Sequence, residues 1–91
     1  MERKGIDIEG LALRELGMIL RVERERQGLT QREVANRIGK SRTAVVLYEN
    51  GKRPIHFGRL IGFCFALGVS PRHVIERWMG LGTFEILDKQ W

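Results

Sequence analysis

Apolar residues at 13, 16, 19 and 20 recur at the spacing of one helical face and predict a first helix over 13–27. Gly28 follows as a C-cap residue. Thr30 and Glu33 have the spacing of a capping box, in which hydroxyl and carboxylate each satisfy an orphan amide. They open a second helix that ends near Ile38, with Gly39 as punctuation. Ser41 can cap a third helix reaching about Asn50, closed by Asn50-Gly51 and Pro54. A fourth helix is expected over 56–67, stopped by Gly68. Ser70-Pro71 gives an N-cap and a first-turn proline for a fifth, running to about Trp78. Gly80 and Gly82 break it. Residues 83–91 alternate briefly at Phe84 and Ile86 and read either as a strand or as a last helical turn. The pattern predicts an all-α bundle of five helices.

The second and third helices form the most informative unit. Val34 and Ile38 lie on the inner face of the second, and Ala35 between them is small enough for a steep crossing. Gly39 permits a sharp turn. On the third helix Val45 and Tyr48 face the core with Ala44 beside them. At 100° per residue the opposite face holds Thr43, Val46, Leu47 and Asn50, with Arg42 at the leading edge. Such an arrangement presents the start of the third helix outward, as major-groove recognition requires.

Charge points to the same place. Arg37, Lys40, Arg42, Lys52, Arg53 and Arg59 are set against Glu49 alone between residues 37 and 59, a balance equal to the chain's whole net charge of +5. A basic patch over two helices and a tight turn indicates a polyanionic partner. Ninety-one residues make one domain with one modest core, and an apolar share of 43% is ordinary for a folded protein. We expect an extension over 1–12, a domain over 13–79 with its two-helix unit at 31–50, and an extension over 80–91. No apolar run approaches the roughly 20 residues that span a bilayer. The segment MERKGIDIEG lacks the apolar stretch of a signal peptide. The single cysteine, Cys64, sits in an apolar stretch and reads as a small buried hydrophobe in a reducing cytoplasm.

The stretches LRVERERQGLTQREVANRIG, SRTAVVLYENGKRP and ALGVSPRHV, in this order and spacing, resemble the Cro and phage-repressor (XRE-like) helix-turn-helix DNA-binding domains. The likeness covers residues 16–75 and implies a lambda-repressor-like fold. It implies base contacts from Arg42, Thr43, Val46 and Leu47. Phosphate contacts would come from Gln31, Lys40, Ser41, Asn50, Lys52 and Arg53. Arg24 and Glu49 match a structural ion pair between the first helix and the end of the third.

Three features depart from that family. Val46 and Leu47 are apolar where polar base readers are usual; they can touch thymine methyl groups but form no bidentate pair. Pro54 comes one residue early. In the fourth helix Phe57, Leu60, Ile61, Cys64 and Leu67 make a core face, yet Gly58, Gly62, Phe65 and Val69 make a second apolar stripe. A helix apolar all round is expected to be buried all round. The stripe is therefore expected to form part of a homodimer interface, or else to lie under the chain's own ends through Ile6 and Ile8 or Phe84 and Ile86.

His56 and His73 are isolated, and no cysteine or histidine spacing matches a zinc site. Gly39-Lys40-Ser41 lacks the earlier glycine and strand of a phosphate-binding loop. Neither catalysis nor a cofactor is expected. The reading is a cytoplasmic, nucleoid-associated regulator that binds double-stranded DNA, a repressor on a pseudo-palindromic operator, acting as a homodimer and away from membranes. Two rivals remain. One is the antitoxin of a toxin–antitoxin pair that binds its own operator, with a protein partner held by the terminal extensions. The other is an adaptor that holds a partner helix on the Val46/Leu47 face.

Overall fold

The computed structural model describes Gly5 and residues 7–89. Six helices follow one another: α1 (Ile8–Arg26), α2 (Gln31–Ile38), α3 (Arg42–Glu49), α4 (Phe57–Leu67), α5 (Pro71–Met79) and α6 (Gly82–Asp88). The fold is all-α, as the hydrophobic pattern predicts, with one helix more than expected. The first helix also starts earlier than its apolar spacing suggests. The Asp7 carboxylate accepts from the Gly10 amide at 2.9 Å and caps α1 well ahead of Leu13. Residues 8–12 are therefore helix rather than extension.

Caps set the borders of the central helices. The Thr30 hydroxyl accepts from the Glu33 amide at 3.0 Å while the Glu33 carboxylate accepts from the Thr30 amide at 3.1 Å. These hydrogen bonds from Thr30 hold the Glu33 carboxyl below its ordinary pKa. Ser41 caps α3 through a bond from the Ala44 amide, and His56 caps α4 by accepting at Nδ1 from Arg59. Ser70 stands at the N-cap of α5 without a side-chain bond; the proline at the next position sets that start instead. Between α2 and α3, Gly39 has φ 68°, a left-handed conformation that favours glycine and turns the chain sharply toward Ser41.

The core lies where the first five helices meet, with α2 packed on α3 and α4 and α1 on α3, α4 and α5. Leu16, Ile19 and Leu20 come from α1, Val34 and Ala35 from α2, and Ala44, Val45 and Tyr48 from α3. Leu60, Phe63, Cys64 and Leu67 from α4 and Val74 from α5 complete it. The Tyr48 and Phe63 rings meet edge to face at 6.2 Å. The expected core face of α4 is corrected at two residues: Phe57, at the first helical position, is 67% exposed, and Ile61 is half-buried outside the core. Phe63, which that face left out, is fully buried. The arc of 60, 63, 64 and 67 faces the core, and Phe57 opens the helix at its free end.

Polar ties fix the helices against one another. Arg37 of α2 donates to the Ala66 carbonyl in the last turn of α4 at 2.7 Å, and Arg59 of α4 reaches the Ile38 carbonyl ending α2 at 3.4 Å. Each satisfies a carbonyl that its own helix leaves open. The buried Glu23 carboxylate of α1 collects Arg26 and His73 at 3.1 Å and Arg77 at 3.6 Å, which ties α5 to α1. The C-terminal segment is a helix because it has something to pack on. Phe84 meets Trp78 edge to face at 5.2 Å, Trp78 donates to the Ala12 carbonyl, and the Glu15 carboxylate receives the Thr83 amide.

Candidate nucleic-acid interface

The sequence of α3 divides it into two faces. Ala44, Val45, Tyr48 and Glu49 are buried, while Arg42, Thr43 and Asn50 are exposed and Val46 and Leu47 are half-buried. Neither Val46 nor Leu47 belongs to the buried core. The helix thus points its arginine end outward, and the polar and aliphatic residues beside it form one accessible strip.

Beneath that strip, Glu49 is held from two sides. Arg24 donates to it through Nε at 2.6 Å and through a terminal nitrogen at 3.1 Å, and its remaining nitrogen caps the Leu29 carbonyl at 2.8 Å. The Gln31 side-chain nitrogen adds a third bond to the same carboxylate at 3.1 Å. The carboxylate is nearly inaccessible and Arg24 is 11% exposed, so this bidentate pair is the joint that ties α1, the start of α2 and the end of α3.

That joint forms the floor of an open groove of about 650 Å³. Arg21, Arg32 and Arg42 stand around it, with Gln31 and Asn50. The charge there is strongly positive because Glu49 is neutralised by Arg24. The amides of the first turn of α2 and the positive end of its dipole add to the same potential. An anion of extended form is what such a groove accommodates.

The structure brings Gln31, Arg42 and Asn50 together in this groove, with Arg24 and Glu49 below. Lys40 and Ser41 lie exposed in the turn before α3, and Lys52 and Arg53 lie exposed after it. Arg53 stands 5.8 Å from the Tyr48 ring centroid, a cation–π contact that steadies its position. Gln31 is partly committed to the scaffold through Glu49, which leaves its carbonyl and backbone amide for outside contacts. The sequence pattern does not single out Arg21 or Arg32. Arg32 carries a usable signal all the same, since it follows Gln31 at the start of α2, where positive groups gather around an anion.

The α4 stripe is elsewhere and only partly as expected. Gly58, Gly62 and Phe65 are exposed, Phe65 by 84%, and among the described residues nothing covers them. Val69 instead packs partly against the core, because the chain turns back after Gly68. It borders a shallow apolar hollow of about 250 Å³ formed with Cys64, Phe65, Gly68 and Pro71. The α6 aromatic Phe84 packs on Trp78 rather than on this stripe, and Ile6 lies outside the described residues.

Among the described residues no three histidine, cysteine, aspartate or glutamate side chains gather as a metal site. No helix there is long and apolar enough to cross a membrane.

Comparison with known proteins agrees with this geometry. A family model described as a helix-turn-helix domain matches residues 15–78. The structure of the clp gene regulator ClgR from C. glutamicum is similar at 30% identity and a TM-score of 0.73, over 76% of this chain and 90% of that one. The restriction-modification controller protein C.AhdI from Aeromonas hydrophila is similar at 31% identity and a TM-score of 0.65, over 68% of this chain and 94% of its own. A point mutant of the restriction-modification controller protein C.Esp1396I shares the fold at 20% identity and a TM-score of 0.73, over 77% of this chain and 93% of that one. A comparison with curated protein sequences gave no match. With the family model spanning α1 to α5 and the two-helix unit at its centre, the chain belongs to the Cro and phage-repressor (XRE-like) helix-turn-helix DNA-binding family.

Proposed function

We propose that this protein is a sequence-specific transcriptional repressor in the cytoplasm, placing α3 in the major groove of double-stranded DNA. One observation carries the reading: the outward strip of α3 adjoins the arginine-lined groove at the start of α2. A duplex seated on α3 would bring a phosphate strand into that groove. Arg42, Thr43, Val46 and Leu47 would meet base edges, while Gln31, Lys40, Ser41, Asn50, Lys52 and Arg53 would meet the backbone. Similarity to solved gene regulators supports the same reading. Repression would follow from occupying DNA that a polymerase needs.

The exposed stripe of Gly58, Gly62 and Phe65, with the hollow beside Val69, supports a homodimer. A knob and a hollow on one patch can pair across a twofold axis. Two copies would then address half-sites about 34 Å apart on a pseudo-palindrome. Phe65→Glu should convert a dimer to a monomer by light scattering; an unchanged dimer mass would remove α4 from the interface.

Titration of duplex DNA at two salt concentrations tests the main reading. Binding should weaken steeply as salt rises, since each neutralised phosphate releases counterions. Arg42→Ala combined with Lys52→Ala should abolish it. Binding that survives both changes, or none at low salt, would favour an adaptor that uses the Val46/Leu47 face.

A further inference from the structure

We infer that α3 selects its DNA by thymine methyl groups next to a guanine, with Val46, Leu47 and the Thr43 methyl against the thymines and Arg42 on the guanine edge. The inference rests on the proposed placement of α3 in the major groove, and it narrows the sites that placement would choose.

The argument is an inventory of what the strip can offer. A guanine edge presents two acceptors, an adenine edge an acceptor and a donor, a cytosine edge a donor, and thymine an acceptor with a methyl group. Arg42 is exposed and makes no hydrogen bond or ion pair among the described residues, so its fork is available for guanine. Reading adenine by a matched pair needs an asparagine or glutamine, and reading cytosine needs a carboxylate. The strip supplies neither near its leading end. The only carboxylate on α3, Glu49, is buried and occupied by Arg24 and Gln31. That bond also holds the amide nitrogen of the nearest glutamine. Asn50 lies far beyond Arg42, about 12 Å further along the helix axis.

What remains between these ends is Thr43, with a hydroxyl and a methyl group, and the aliphatic pair Val46 and Leu47. Val46 and Leu47 are half-buried and outside the core, so their methyl groups are accessible on the face that Arg42 leads. Opposite adenine or cytosine they would leave a donor without a partner; opposite thymine they would bury a methyl group against methyl groups.

Uracil tests this directly, because it keeps the pairing and O4 of thymine and removes only the methyl group. Sites selected from a random duplex library would be rebuilt with uracil at one thymine at a time, on either strand. One to three positions should each lose about threefold to tenfold in affinity, the scale of one buried methyl group. Placing 5-methylcytosine at those positions should cost less than placing unmethylated cytosine there. Leu47→Ala, checked for helical content, should bind the thymine duplex more weakly and respond less to uracil. Equal affinity of the wild type for every uracil duplex would overturn the inference and leave DNA binding standing. Absence of binding to any duplex at low salt would overturn the placement of α3 itself.

Discussion

Gly17 of α1 lies against Glu49 at the end of α3, so close that a β-carbon on the glycine would stand 2.5 Å from the Glu49 carbonyl oxygen. The Tyr48 carbonyl oxygen is equally near. Both obstacles are backbone, which cannot swing aside as a side chain would. Gly17→Ala gains about 1 kcal/mol of helix propensity. The forced separation of α1 from α3 should cost more, for a net loss of about 1–3 kcal/mol. Urea denaturation of the two proteins measures this. An alanine variant as stable as the wild type would mean that the helices part at no cost.

Glu49→Ala should be more damaging than the loss of any surface ion pair. It leaves the guanidinium of Arg24 in a nearly buried position with only the Leu29 carbonyl as partner. Breaking a buried pair from one side costs about 3–5 kcal/mol. Arg21→Ala, by contrast, removes an exposed partner of Glu25 at 3.5 Å and should change stability by less than about 1 kcal/mol. A denaturation series containing both variants checks the ordering, and equal losses would refute it.

The capping box makes one part of the stability depend on pH. Glu33 ionises more easily in the folded chain than in the unfolded one, because its charged form accepts the Thr30 amide. A lowered folded-state pKa contributes stability that is present above the unfolded value and lost as pH falls through the folded value. From pH 4.5 downward the wild type should therefore lose stability faster than Glu33→Gln, which has no proton to take up. Parallel melting temperatures for the two proteins across that range would contradict the assignment.

Cys64 should report on unfolding rather than on redox state. It is buried, and burial raises its thiol pKa, so little reactive thiolate is exposed to reagent. Alkylation by iodoacetamide at neutral pH should be slow in the native protein and accelerate with denaturant along the unfolding curve. Rapid labelling in native buffer would mean that α4 opens locally.

The central helices are legible from sequence because their borders are local. Thr30 with Glu33, Gly39 and Ser41 each act within a turn of themselves, and the structure uses all of them at these places. The joint of Arg24 and Glu49 is legible only through likeness to a family, since 25 residues separate its partners. In α4 the pattern fails for a physical reason. A helix with Phe57, Phe63 and Phe65 on different sides has no periodicity to say which one is inside. Packing in the core, with Tyr48 of α3 set edge to face on its ring, decides for Phe63. The same holds for α6, whose seven residues rely on Trp78 and Glu15 for partners. Asp7 escapes the pattern because Gly10 interrupts the apolar spacing that follows it, although that glycine's amide is the one Asp7 receives.

The crossed arginines Arg37 and Arg59 have a mechanical consequence. By fastening the C-terminal end of α2 to both the first and the last turn of α4, they make the pair a stiff lever between the support of α3 and the outer apolar stripe. In a twofold assembly built on that stripe, the angle at which two levers meet would set the span between their tips, as the rivet of a caliper sets the gap of its jaws. A change of a few degrees at Phe65 would then retune which operator spacing fits, with no base-facing residue altered.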